Sequence, residues 1–288
     1  MTRRRIGAIG AAAVAGGLLA LCACSSDRGP EPPIAAGLDQ FQEIDLGALR
    51  GEDVRIGSAR SELVPMVRTD ERRGRTSLAV LDAEEGTIVD AGPLPVDGWA
   101  VEGLAVASDR YVVIAPYVCS AEPGVSDTGL DCTNEPTDAP LPIELLIYDI
   151  ARDSWQRVPV GSAPDRWVVV EAVDGATATL RRLGIGEPDT WAQVDLADPV
   201  APTSYSSTEP AFDPPAWSNV ERRWVGDGWT MDAPDTRGDV TWEGTVAGEP
   251  RTFAIPSRTP EVFGAGRCIL MASTSSDRLD HLHRLCAS

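Results

Sequence analysis

The chain contains no lysine, so all of its positive charge comes from 25 basic residues that are arginine. Histidine occurs only at His281 and His283, and asparagine only at Asn134 and Asn219. We read that bias as the mark of a high-GC genome. Without lysine there is no Schiff-base nucleophile and no P-loop cation. A Ser-His-Asp triad has only the two C-terminal histidines to draw on. The GxSxG, HExxH and GxGxxG patterns and the DxDxDG calcium loop are missing;. No cofactor and no metal are expected. The 44 acids give a formal charge of -19, which argues against a nucleic-acid partner;.

Apolar residues make up 43% of the 288, enough to bury a core;. The start, "MTRRRIGAIGAAAVAGGLLALCAC", has three arginines and then an apolar run from Ile6 to Leu21. This is the layout of a secretory signal, too short and too rich in Gly and Ala for a stable membrane span. "TRRRI" also has a twin-arginine look, so general secretion and folded export both stay open;.

The tail Leu21-Cys22-Ala23-Cys24 resembles the lipobox of bacterial lipoproteins. Leu21 takes the first place, Ala23 is the small residue before the cut, and Cys24 is the modified cysteine. The resemblance implies cleavage before Cys24, a diacylglyceryl group with its acyl chains (palmitate) on the thiol, and anchorage at the extracytoplasmic face of the cell membrane. A CxC metal site finds no further Cys or His nearby. The expected layout is a lipoprotein signal peptide over 1–23, a flexible tether over 24–40 and a folded domain over 41–288. The tether "SSDRGPEPPIAAG" is rich in Ser, Pro and Gly;. Removing 1–23 deletes Arg3, Arg4 and Arg5 and no acid, leaving 22 arginines against 44 acids and a charge of -22.

Cys119, Cys132, Cys268 and Cys286 remain, an even number in an exported chain;. Three pairings are open. The local one, Cys119 with Cys132 and Cys268 with Cys286, is preferred. "RCILMASTSSDRLDHLHRLC" reads as strand, polar turn and strand, and folding it about Asp277 sets Cys268 opposite Cys286. A bridge from Cys119 to Cys132 pins the long Pro/Gly/Asp insertion after "YVC".

Strand signals dominate the domain. "TSLAVLDAE", "RYVVIAPYV", "IELLIYDI", "RWVVVEAV" and "ATATLRRL" are short, apolar or alternating, and bounded by turn residues;. "AVDGAT" and "VGDGWT" read as tight hairpins;. Leu279, Leu282 and Leu285 recur every third residue, but the hairpin about Asp277 makes that segment a strand. "LAVLDAEEGTIVDAG" at 78–92 aligns without gaps on "LLIYDIARDSWQRVP" at 145–159. "EPDTWAQVDL" at 187–196 and "GEPRTFAIP" at 248–256 look like copies of the second half. The unit resembles the outer hairpin of a kelch-type propeller blade, without its paired glycines. At roughly 40–45 residues per blade, the expected fold is all-β and β-propeller-like with five or six blades. One or two β-sandwiches are the alternative. The early strand in "FQEIDLGAL" is expected to pair with the last blade and close the ring;.

Among the eight tryptophans, "WSNVERRWVGDGWTMD" gathers Trp217, Trp224 and Trp229 with Arg222 and Arg223. It reads as a binding surface for an envelope protein or glycan, or as core filling between blades. His281 and His283 share a strand face and offer two metal ligands at most. "SDTGLD" reads as a solvated acidic turn. With no catalytic residue to name, the expectation is a non-enzymatic binding or scaffold module at the cell envelope. A glycan hydrolase or lyase working through two carboxylates is the alternative.

Overall fold

The computed structural model of the chain describes residues 41–70, 75–96, 99–102, 105–119, 124–126, 129–131, 142–162, 166–184, 187–202, 204–211, 218–220, 222–233, 241–255, 261–275 and 278–287. All of them belong to one compact unit, Gly37–Ser288. Among the described residues, five larger sheets follow one another along it, and every pair of strands but one is antiparallel. Blade 1 holds Asp53–Ile56, Leu63–Asp70, Arg75–Asp82 and Thr87–Pro93. Blade 2 holds Ala105–Ala107, Tyr111–Ile114, Pro142–Asp149 and Ser154–Ser162, with Ser58–Ala59 added in parallel to its first strand. Blade 3 holds Arg166–Asp174, Thr177–Gly184 and Glu187–Asp195. Blade 4 runs from Ser218–Val220 through Arg223–Gly226, Trp229–Asp232 and Thr241–Val246 to Glu249–Ala254. Blade 5 holds Glu261–Ala265, Cys268–Ser275 and Arg278–Cys286.

The fourth strand of blade 5 is Gln42–Glu43 from the start of the domain, with Gln42 opposite Arg284 and Glu43 opposite His283. The chain therefore closes on itself as expected, and an edge that would be open is paired. This succession of sheets, with the first strand completing the last, is a β-propeller-like architecture rather than a sandwich, with five blades among the described residues.

The repeat becomes geometry in blades 1 and 2. Asp82 pairs with Thr87 and Asp149 with Ser154, so both aligned segments are the last hairpin of their sheet. Each aspartate closes its turn, Asp82 Oδ1 accepting from the amide of Glu85 and Asp149 Oδ1 from those of Ala151 and Arg152;. The alignment also matches Gly86 with Asp153, and both have positive φ, +71° and +48°. Glycine and aspartate are among the residues that tolerate this region.

Among the described residues, four apolar seams hold the blades together. Leu78, Val80, Val112 and Leu146 belong to the seam between blades 1 and 2, and Val113, Ile147, Val170 and Leu180 to that between 2 and 3. Met231, Phe253, Ile269 and Met271 join blades 4 and 5. Met66, Leu81, Leu270 and Leu282 join 5 and 1, capped by Ile44, Leu46 and Leu49 from the closing segment. Blade 2 is apolar on both faces, which is why "YVVI" and "LLIY" read as unbroken apolar runs.

One strand runs against its sequence signal. Leu63–Asp70 carries Pro65 yet lies inside blade 1. The carbonyl of Pro65 accepts from Gly57 N at 2.8 Å, beyond the end of the pairing with Asp53–Ile56. The missing N–H points to the same side as that carbonyl, away from Arg75–Asp82, where the pairing with Asp53–Ile56 has ended;. Gly57 is itself required, because a Cβ there would run into the carbonyl of Ala105.

Candidate functional site

The tryptophan–arginine stretch divides between interior and surface. Strands Arg223–Gly226 and Trp229–Asp232 form the expected tight hairpin, with Gly228 at φ +73° in the turn. Alternation sends Trp229 and Met231 inward, and Trp229 is 2% exposed;. Its indole covers Gly226, where no side chain fits. Trp224 is half-buried and stacks on Trp242 with ring centroids 5.2 Å apart. Trp229 is therefore no part of a binding surface. A large ring on a flat sheet is better placed between blades than in water. Arg222 and Arg223 are exposed, and Arg223 Nε lies 3.5 Å from Asp232 Oδ1. Trp217 lies outside the described residues.

The disulfide expected at the end of the chain is present. Cys268 and Cys286 are direct cross-strand partners with Cα atoms 4.0 Å apart. Cys132, the side chain of Cys119, and Cys24 lie outside the described residues.

His281 and His283 share a face of their strand, with rings 6.1 Å apart. Glu43 Oε1 lies 2.9 Å from His281 Nδ1 and 3.1 Å from Arg50 Nη2, and these bonds hold the Glu43 carboxyl below its ordinary pKa. His283 Nδ1 is buried and makes no hydrogen bond, and burial lowers its pKa from 6.5;. The pair thus faces the closing strand. Among the described residues, no group of three or more His, Cys, Asp or Glu is placed to hold a metal ion.

The sequence reading missed a cluster on blade 3. A bulge between Val170 and Ala172 sets Glu171 apart from its neighbours' pairing;. Arg181 Nε lies 2.6 Å from Glu171 Oε1, and Nη1 lies 3.4 Å from Asp189 Oδ2. The Arg181 guanidinium sits 5.7 Å from the ring centre of Trp191, its cross-strand partner;. Folding "RRLGIGEPDTW" into a hairpin already sets Arg181 opposite Trp191. The bulge that places Glu171 has no sequence signal.

A buried charge, Asp149 at 1% exposure, accepts from Arg110 Nη2 at 2.9 Å, and this bond holds its carboxyl below the ordinary range;. Its neighbour Tyr148 donates to Asp153 Oδ1 at 2.7 Å, and burial pushes the phenol up to about 12.

No protein-family model matches the chain, and no curated protein does. Among solved structures, it is similar to TolB from Acinetobacter baumannii at 12% identity and TM-score 0.32, over 82% of this chain and 55% of that one. It therefore spans about half of TolB's length. The catalytic domain of a GH62 α-L-arabinofuranosidase from Coprinopsis cinerea matches at 11% identity and TM-score 0.33, over 86% of this chain and 97% of that one. The β-propeller domain of the Trilobed protease from Pyrococcus furiosus matches at 9% identity and TM-score 0.30, over 78% of this chain and 64% of that one. The fold assignment rests on the sheet order and the closing strand.

Proposed function

We propose that this chain is a bacterial lipoprotein, anchored through Cys24 at the extracytoplasmic face of the cell membrane, whose propeller-like domain binds an envelope protein or glycan. The lipobox Leu21–Cys24, followed by the tether, carries the reading. The Cys268–Cys286 bridge supports an oxidising compartment;.

Binding is preferred to glycan hydrolysis on electrostatic grounds. A hydrolase of the two-carboxylate kind needs one carboxyl whose pKa is raised, so that it stays protonated as the general acid. Glu43 and Asp149 both lie below the ordinary carboxylate range, held there by hydrogen bonds. Glu171, Asp189, Glu144 and Glu84 each lie within ion-pair distance of an arginine. Each of these four acids thus has an arginine beside it, where a two-carboxylate site needs room for a sugar.

The intact mass of the chain recovered from the membrane fraction tests the anchor. The expected mass is that of a chain beginning at Cys24 with diacylglyceryl attached, and Cys24→Ala moves the protein out of that fraction. A mature chain beginning at an unmodified residue other than Cys24 overturns the proposal.

A further inference from the structure

The closing segment roofs a cavity of about 410 Å³ on blade 1. Its apolar wall is made by Leu46, Ala79 and Ile88, and its polar groups include Arg68, Ser77, Asp45 and Asp90. The volume lies in the range of small-molecule sites, and such sites combine apolar walls with a few fixed polar groups.

Arg68 is the unusual member. It lies on the same face of its strand as Val64 and Met66, where the apolar seam between blades 1 and 5 gives way to the cavity;. Its Nε donates to Ser77 Oγ at 3.2 Å. Among the described residues this is its sole hydrogen bond and it has no ion pair. A guanidinium has five donors in a rigid fork suited to a carboxylate or phosphate. In a chain with 44 acids, this half-buried arginine keeps most of its donors open.

The two acids answer a different need. Asp45 Oδ1 accepts from the amide of Gly47 at 3.1 Å, and Asp90 Oδ1 from that of Gly92 at 2.9 Å. Each bond fixes one carboxylate oxygen and leaves the other for a cation. Both aspartates are exposed. The cavity thus offers one cation, two anions and an apolar wall, and neither aspartate comes within ion-pair distance of Arg68. A ligand carrying a single charge would satisfy one sign and meet the other.

We propose that this cavity is a binding site for a small amphipathic zwitterion of the apolar α-amino acid class. Its carboxylate takes the open donors of Arg68, its ammonium faces Asp45 and Asp90, and its apolar body lies against Ile88 and Ala79. The site goes beyond the anchoring and binding reading above and does not depend on it, because no residue of the lipobox or of the tether takes part.

The test is calorimetric titration of the full chain in detergent with three matched probes, phenylalanine, 3-phenylpropionate and phenethylamine. Phenylalanine is expected to bind saturably, with each single-charge probe about tenfold weaker or more. Arg68→Gln should bring phenylalanine down to the level of phenethylamine, with the melting temperature unchanged. Ala48→Trp fills the cavity from an exposed position of the roof and should abolish binding if Arg68→Gln proves unstable. Equal affinity for phenylalanine and phenethylamine overturns the proposal. So does unchanged binding in a folded Arg68→Gln or Ala48→Trp protein, or the failure of all three probes to bind. Loss of lipid from Cys24 leaves every one of these outcomes in place, so the anchor and the cavity fail separately.

Discussion

The seam between blades 5 and 1 and the polar faces of blades 3 and 4 are built on opposite principles. At the first, apolar packing is reinforced at each level. Met66, Leu81 and Leu270 are fully buried. Ile44 N donates to Leu282 O, and Gly51 and Leu279 exchange backbone bonds through Glu52. Arg284 donates to Ala83 O at 2.8 Å and to Gln42 Oε1 at 3.3 Å, tying blade 5 to the closing strand and to the turn of blade 1. Arg267 pairs with Glu84 in that turn, and the disulfide locks the hairpin beneath. On blade 3, the face away from the apolar seam carries Thr179, Arg181, Asp189 and Trp191. Blade 4 turns its apolar face to blade 5, and its other face carries Thr230 and Thr245, 3.0 Å apart. Among the described residues, no apolar cluster contains members of both blade 3 and blade 4. A ring needs reinforcement where its first strand meets its last blade, and three further apolar seams carry the rest.

The largest expected effect sharpens that contrast. Leu270→Ala removes a side chain with no exposure from the closing seam and should cost about 2–5 kcal/mol in urea unfolding;. Thr230→Ala on the polar face of blade 4 removes two partly buried hydrogen bonds to Thr245 and should cost about 1 kcal/mol;. Equal costs would break the distinction between the two regions. Next comes the disulfide. Closing a loop with a sequence separation of 18 should stabilise the fold by about 3 kcal/mol;. The Cys268→Ser/Cys286→Ser double variant should lose that amount, and hydrogen exchange should rise first at Ile44, whose amide bonds to the bridged strand;. Uniform exchange across all blades would mean that the bridge does not serve closure.

A smaller effect belongs to Asp149. The folded carboxyl has a pKa below its ordinary 3.8, led by the hydrogen bond from Arg110 and opposed by burial. A depressed acid contributes stability above the unfolded pKa, which is lost as pH falls through the folded value. Asp149→Asn should therefore cost about 1–2 kcal/mol at pH 7, discounted because Arg110 is 44% exposed;. The gap to the natural chain should close in acid, well below pH 4. Urea midpoints at pH 7 and near pH 2 measure it, and a gap that persists in acid would place the effect in turn geometry rather than in charge.

Much of the architecture was legible because its signals are local. The gapless match of 78–92 with 145–159 marks a repeated hairpin, and the Asp82 and Asp149 turns explain why it repeats. The closing strand and the Cys268–Cys286 bridge follow from alternation and the need to cover an edge. What escaped depends on pairing that no short window shows. Leu63–Asp70 hides behind Pro65, which is harmless only because its partner strand stops one residue earlier. Gly86 and Asp153 occupy equivalent turns, yet Gly86 also makes room for Arg284, whose guanidinium lies where a Cβ would intrude. The tryptophans could be read as surface or as core filling, because a chemical type alone does not give its face. Only the parity fixed by the Gly226–Trp229 pair sends Trp229 inward. The cavity under the closing segment was invisible for the same reason, since Asp45, Arg68 and Asp90 come from three separate elements.

The smallest expected effect is at Arg181. Its guanidinium is 34% exposed, Glu171 is 22% and Asp189 is 39%, so water screens both pairs;. Arg181→Ala should shift stability by about 1 kcal/mol or less, and the small loss it causes should fade as salt is raised. By contrast, the Leu270→Ala cost should hold steady over the same salt series, since apolar burial does not depend on screening. A loss of several kcal/mol at Arg181 that survived high salt would mean that this cluster is packed against another element as firmly as the closing seam. The polar face of blade 3 would then be a fifth structural seam, built from charge and an aromatic ring instead of aliphatic side chains.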